Sequence, residues 1–226
     1  MAEVVRNLDA VRQRITAACV KSGRSPDEVR LLAVSKTILV SSIQEAYEAG
    51  QLDFGESRQQ EAKDKIDQLP DQIRWHFIGK LQRNKARKVV AEFDCLHSID
   101  SLKLASHVDR IAGELGVCPE VFLEVNLAEE ESKGGFLADD LRGEADLLCS
   151  LSNLSIQGLM VIPPVVDEPD QARPWFIKAR ELQDELCKET CLDLHRLSMG
   201  MSSDFEVAIE EGSSIVRVGS AIFGGR

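Results

Sequence analysis

Leu31-Leu32-Ala33-Val34-Ser35-Lys36-Thr37 decides how this chain is read. The run is apolar on both faces, too short for a buried helix, and it stops on a lysine. A parallel strand covered by helices on its outer side has that pattern. Side chains alternate along a strand, so Leu32, Val34 and Lys36 share one face. Seven more runs of this kind follow: Leu52–Phe54, Ile73–Ile78, Cys95–Ile99, Val121–Asn126, Ile156–Ile162, His195–Ser198 and Ile215–Gly219. Stretches of helical period separate them: Val40–Ala49, Arg58–Gln68, Lys80–Ala91, Ser101–Leu115, Leu137–Leu151, Asp170–Thr190 and Ser203–Glu211. Gly50, Gly116 and Gly212 stand just past helix ends, where a left-handed residue closes the last turn. Eight strands alternating with helices predict an α/β protein, a (β/α)8 barrel of the TIM type, with an extra N-terminal helix over Val4–Lys21. The competing doubly wound sheet needs a glycine fingerprint at its first turn, and Ser35-Lys36-Thr37 has none. No linker breaks the pattern, so residues 1–226 read as a single domain.

Composition narrows the function. The formal charge of −11 and an aromatic content of 5% argue against a nucleic-acid surface or an anionic membrane as partner. One small anion is still compatible with this charge. Charges beyond roughly 8 Å are screened in physiological salt, and local donors then decide. No apolar run approaches the length of a membrane span, and Met1–Val20 has no signal-peptide core, so a soluble cytoplasmic protein is expected. The six cysteines (Cys19, Cys95, Cys118, Cys149, Cys187 and Cys191) are irregularly spaced and read as reduced thiols. Cys187, Cys191 and His195 supply at most three ligands, and no metal is expected.

In a barrel, chemistry sits at the C-terminal ends of the strands. Lys36 lies there, facing inward. Desolvation favours a neutral amine, which can attack an aldehyde and form an imine. The plainer alternative is a lysine paired with a carboxylate, and position alone leaves both open. The last two strands run into loops rich in small and hydroxyl residues: Ser198-Met199-Gly200-Met201-Ser202-Ser203 and Gly219-Ser220-Ala221. Loops after strands seven and eight recur as phosphate sites in barrels. Ser202-Ser203-Asp204 also reads as an ordinary helix cap. Arg217 shares a face with Ile215 and Gly219 and points inward. It requires a partner, either a core carboxylate such as Glu124 or a ring nitrogen that accepts its hydrogen bond. A lysine amine, a phosphate cradle and an arginine facing a ring nitrogen together describe a site for pyridoxal 5′-phosphate. Elsewhere, Lys80, Arg83, Lys85, Arg87 and Lys88 read as a solvated helix face. His76, Asn126 and Met160 are candidates for the barrel mouth, with core packing the plainer role for Met160. His97 and His107 show no chemical partners.

With those residues in place, the chain resembles the pyridoxal phosphate homeostasis protein family over nearly its full length. The resemblance is carried by Leu32–Thr37, Phe54-Gly55-Glu56, His76–Gln82, His97–Asp100, Glu124-Val125-Asn126, Gly158–Pro164, Leu197–Ser202 and Val216–Gly219. It implies a barrel similar to the cofactor-binding domain of alanine racemase. It also implies pyridoxal phosphate held as an imine on Lys36, with Ser198, Gly200, Met201, Ser202, Arg217, Gly219 and Ser220 around it. The implied role is cofactor homeostasis without established catalysis, with the small-molecule cofactor and apo-enzymes that use it as partners; the acidic composition and single domain point to a monomer. A racemase- or lyase-like enzyme, or a barrel binding a phosphosugar, are the alternatives. One departure is Ser57-Arg58, where the family usually carries Asn and Tyr.

Overall fold

A computed structural model describes residues 3–130 and 133–225. The chain begins with α1 (Glu3–Lys21) and then alternates strands and helices. In order these are β1 (Arg30–Val34), α2 (Val40–Glu48), β2 (Asp53–Glu56), α3 (Gln59–Ile66), β3 (Arg74–Phe77), α4 (Ala86–Glu92), β4 (Cys95–Ile99) and α5 (Leu102–Leu115). They continue through β5 (Glu120–Val125), α6 (Ala138–Cys149), β6 (Ser155–Val161), α7 (Arg173–Glu189), β7 (Arg196–Ser198), α8 (Phe205–Glu210), β8 (Ile215–Val218) and α9 (Ser220–Phe223). The eight strands are parallel and close on themselves, with β1 between β2 and β8. Ala33 pairs with Phe54 on one side and with Val218 on the other. The predicted (β/α)8 barrel and its leading helix are therefore present.

Most apolar side chains fill the shell between barrel and helices. α1 contributes Leu8, Val11, Ile15 and Ala18, three or four apart along one buried stripe, with Cys19 four past Ile15. A smaller cluster, Leu32, Cys95, Phe122, Met160 and Ile215, fills the barrel interior. The helix-end glycines are left-handed, with φ of 82° at Gly50, 68° at Gly116 and 102° at Gly212.

Two expectations need correction. The helix expected over Lys80–Ala91 starts only at Ala86. Gly79 lies so close to the Ser57 carbonyl that a Cβ there would stand 2.1 Å from its oxygen. Leu81 is buried, and Gln82 remains extended at φ −81°, ψ 135°. This anchoring keeps the chain out of helix until a short 3-10 turn at Arg83–Lys85. Lys80, Arg83 and Lys85 therefore lie ahead of the helix, while Arg83, Arg87 and Lys88 are exposed as a solvated surface should be. The cysteines are also not all reduced. Cys149, the last residue of α6, is bonded to Cys191 just ahead of β7, and Cys19, Cys95, Cys118 and Cys187 are free. Topology brings two irregularly spaced cysteines together, and linear spacing carries no trace of that.

Candidate functional site

The C-terminal ends of the strands surround a cavity of about 710 Å³, a volume typical of small-molecule sites. Val34 of β1 and Lys36 just past it line the cavity, as do Met160 of β6 and Ile162 just past that strand. Met201, Ser202 and Ser203 close it after β7, and Gly219, Ser220 and Phe223 after β8. Arg217 lies at its floor and is only 5% exposed.

Lys36 is presented by a strained turn. Thr37 has φ of 66°, a conformation that a β-branched residue adopts only when its surroundings enforce it. The enforcement is visible. The Thr37 amide donates to Glu61, its hydroxyl donates to the Lys36 carbonyl at 2.6 Å, and the Ile38 amide donates back to Ser35 at 3.0 Å. Among the described residues no carboxylate pairs with the Lys36 amine. The nearby acids are engaged by a second lysine. Lys65 Nζ lies 2.8 Å from Glu56 Oε1, 2.8 Å from Glu61 Oε1 and 2.8 Å from the Ser35 carbonyl. Lys65 and Glu56 are both buried. Burial raises the Glu56 pKa, with Lys65 and Ser35 opposing it. Lys65 thus takes the ion-pair role that was open for Lys36.

The loops after β7 and β8 form a cradle of amides. Asp204 does not cap α8 with its side chain. Its Oδ1 accepts from the Met201 amide at 2.6 Å, tying the loop to itself. The Ser202 hydroxyl accepts from the Gly219 amide at 3.2 Å, which joins the two loops. Among the described residues, the amides of Ser202, Ser203 and Ser220 have no protein acceptor, and all three residues line the cavity. Clustered donors without acceptors suit an anion such as a phosphate group.

Arg217 does not pair with Glu124. Its Nη1 donates to the Ser198 carbonyl at 2.6 Å and to Ser198 Oγ at 2.8 Å, and its Nη2 donates to the Val161 carbonyl at 3.0 Å. Burial lowers its pKa to about 10, with Asp204 and Glu124 opposing that, so it stays charged at neutral pH. Three hydrogen bonds leave part of its five-donor fork for a ligand.

Six of the expected site residues therefore meet around one space: Lys36, Met201, Ser202, Arg217, Gly219 and Ser220. Two do not line it. Ser198 is fully buried beneath Arg217. Gly200, at φ 92°, is a packing position where a Cβ would stand 2.6 Å from that of Ala208.

The alanine racemase N-terminal domain family matches residues 6–226. A pyridoxal phosphate homeostasis protein from Aquifex aeolicus is 42% identical over 97% of this chain and 96% of its own length. This chain belongs to the pyridoxal phosphate homeostasis protein family. Among solved structures, PipY from Synechococcus elongatus, determined with PLP bound, superposes with a TM-score of 0.87 at 43% identity. That likeness covers 98% of this chain and 100% of PipY. An alanine racemase from Clostridium difficile has a TM-score of 0.77 at 13% identity, over 99% of this chain and 57% of the racemase, a likeness of fold alone.

Within the family framework, several residues stand elsewhere than sequence suggested. His76 is not at the mouth. It is fully buried, with Nε2 3.0 Å from Asp53 Oδ1 at the opposite end of the barrel. Asn126 bonds the Glu130 carbonyl at 2.9 Å and shapes its own loop. Met160 alone of the three reaches the cavity. His97, thought partnerless, bonds His76 at 2.9 Å and Ser198 at 2.9 Å. His107 lies 3.1 Å from the Arg83 carbonyl. Two groups went unnoticed in the sequence, Lys65 and the cluster of His76, Cys95 and His97, whose ligand-type atoms lie within 4.8 Å of one another. Lys65 sits four residues past Glu61, a helical ion-pair spacing that was there to be read.

Proposed function

We propose that this chain binds pyridoxal 5′-phosphate covalently through Lys36 Nζ and serves cofactor homeostasis without a catalytic cycle of its own. One observation carries the reading. Among the described residues, an amine with no carboxylate partner, three amides without acceptors and a buried arginine with donors to spare converge on one cavity. The residues present fit the group. The Ser202, Ser203 and Ser220 amides would hold its phosphate and Arg217 its ring nitrogen. When bound, the group supplies an aldehyde carbon that condenses with amines. Arg217 donates and cannot accept, so it keeps that nitrogen unprotonated and limits the ring as an electron sink.

The lining supports binding over turnover. Among the described residues that line the cavity, Lys36 and Arg217 are the only ionisable side chains. Racemisation requires a proton donor and an acceptor on opposite faces of the substrate. Tyr47, the one tyrosine, donates to Gln72 at 3.2 Å from α2 and lies outside the cavity. PipY, at 43% identity, has a structure determined with PLP bound, which supports reading the cavity here as a site for the same cofactor. We further read residues 1–226 as one domain acting as a cytoplasmic monomer that exchanges cofactor with apo-enzymes. Four free thiols fit a reducing compartment, and the Cys149–Cys191 bond is the feature that such a compartment would open.

The decisive measurement is the absorption spectrum of protein incubated with pyridoxal phosphate and then separated from unbound cofactor by gel filtration. A yellow band that borohydride removes, and that Lys36→Ala lacks, is expected. Protein that is colourless once unbound cofactor is removed overturns the assignment, and steady turnover of D- or L-alanine overturns the non-catalytic role.

A further inference from the structure

A line of polar groups runs through the apolar interior of the barrel, from the cavity floor to the far end. Arg217 Nη1 is 2.8 Å from Ser198 Oγ, and Ser198 Oγ is 2.9 Å from His97 Nδ1. His97 Nε2 is 2.9 Å from His76 Nδ1, and His76 Nε2 is 3.0 Å from Asp53 Oδ1. Four strands besides β8 contribute, and Ser198, His97 and His76 are wholly buried. Phe122 stacks on the His97 ring at 4.6 Å and fixes its plane.

Each end of this line dictates the same proton pattern. An arginine can only donate, so Ser198 Oγ accepts from it and gives its own proton to His97 Nδ1. His97 then carries its proton on Nε2 and donates to His76 Nδ1. His76 in turn carries its proton on Nε2 and donates to Asp53. An ionised carboxylate can only accept, so the far end closes the chain in the same direction. Every donor meets an acceptor, with both imidazoles neutral.

The charged groups nearby favour that neutrality. Burial lowers the pKa of His76, against the pull of Asp53, with Arg74 and Arg30 adding to the lowering. Burial also lowers that of His97 well below the usual value, with Arg217 and Arg30 acting in the same direction. Cys95, the remaining titratable side chain beside the pair, has its thiol pKa raised by burial and Glu120, so it stays neutral.

The grouping of His76, Cys95 and His97 could instead suggest a metal site. The spacing decides against it. Two imidazole nitrogens on a tetrahedral zinc stand about 3.3 Å apart, whereas these two are at the 2.9 Å of a direct hydrogen bond.

We propose that Asp53, His76, His97 and Ser198 are positioning residues, a directional hydrogen-bond relay that holds the Arg217 guanidinium in place with its remaining donors toward the ligand. The role for Arg217 rests on the cofactor reading above; the relay itself does not. In a low-dielectric interior a broken link leaves a buried group unsatisfied, so the chain holds as a unit.

Two measurements test this. The first is NMR of the cofactor-free protein with ¹⁵N in its histidine rings. His76 and His97 should both be Nε2–H tautomers and should stay neutral through the range near neutral pH where an ordinary imidazole titrates. A proton on Nδ1 of either ring, titration in that range, or ring signals moved by stoichiometric zinc would overturn the relay. The second compares wild type with Ser198→Ala in binding pyridoxal phosphate and its analogue with CH in place of the ring nitrogen. Loss of a hydrogen bond that steadies a charged donor should weaken pyridoxal phosphate about tenfold and leave the analogue nearly unchanged. Equal losses for both ligands refute the positioning role. A wild-type protein that binds neither ligand refutes the cofactor reading, and with it the role of Arg217, whatever the tautomers.

Discussion

The two mouths of the barrel are built on opposite rules. At the N-terminal mouth, residues that open the strands neutralise one another. Asp53 lies 3.6 Å from Arg30 and 4.0 Å from Arg74, and Glu120 lies 3.2 Å from both Arg74 and Arg196. At the C-terminal mouth, among the described residues, Lys36 has no acid partner, three serine amides have no acceptor, and Arg217 keeps donors in reserve. The division of labour common to barrels, stability below and chemistry above, is here written in hydrogen bonds. Lys65 is the instructive exception. It lies beside the upper mouth yet is fully engaged, and it draws Glu56 and Glu61 to itself and away from Lys36.

Lys65→Ala should therefore break the contrast most severely. Glu56 would be left buried without its cation, a change that costs about 3–5 kcal/mol. The Glu56 pKa already lies above the usual value because of burial and would rise further without Lys65. A carboxyl with a raised folded pKa contributes stability below its unfolded value, near 4.5, and loses it as pH rises through the folded value. The penalty of the variant should grow from pH 5 to pH 8 in thermal melts. A penalty independent of pH would show that Glu56 does not carry it.

The next largest effect concerns the lower end. Cys149 and Cys191 are 42 residues apart in sequence, and their bond closes that loop where α6 ends and β7 begins. Reduction, or Cys149→Ser, should cost roughly 3–4 kcal/mol by loop-closure entropy. Denaturant melts with and without reductant measure it. Identical melts, with six reactive thiols in each, would show that the bond does not form.

Asp53→Asn comes third. It keeps an acceptor for His76 and removes the charge shared with Arg30 and Arg74. Hydrogen bonds to charged groups contribute about 1.5–3 kcal/mol, so a loss of that order is expected at pH 7. Burial raises the Asp53 pKa, but the His76 hydrogen bond and the two arginines outweigh it and the net shift is downward. A depressed carboxyl pKa contributes stability above the unfolded value, near 3.8, and loses it as pH falls through the folded value. Wild type and variant should converge below about pH 4. A gap that persists there would assign the loss to packing.

The sequence made the upper mouth far more legible than the barrel axis. Strand alternation alone placed Lys36 and Arg217 inward, and the Ser- and Gly-rich loops pointed to an anion. The relay could not be read the same way. His76, His97 and Ser198 lie on three different strands, and their contact depends on barrel closure and register, as in His76 opposite Cys95 and Met160 opposite Ser198. The helix expected from Lys80 failed because the contact of Gly79 with Ser57 is tertiary. The cavity wall from Ile78 to Met160 joins strands far apart in sequence, and no local period records that.

The smallest stability effect is the sharpest test of the contrast. Lys36→Ala removes a half-buried side chain that pairs with no carboxylate among the described residues, and the strained turn at Thr37 is held by backbone and Glu61 contacts that the substitution leaves in place. Substitutions away from packing or pairing usually change stability by less than about 0.5 kcal/mol, or roughly 2 °C in a chain of this size. The melting temperature of the cofactor-free variant should accordingly match wild type. With pyridoxal phosphate present, wild type should gain in melting temperature, because a ligand that binds only the folded state stabilises it, and the variant should not. A variant destabilised without ligand would mean that Lys36 is a structural ion-pair residue after all, and that the upper mouth follows the same rule as the lower one.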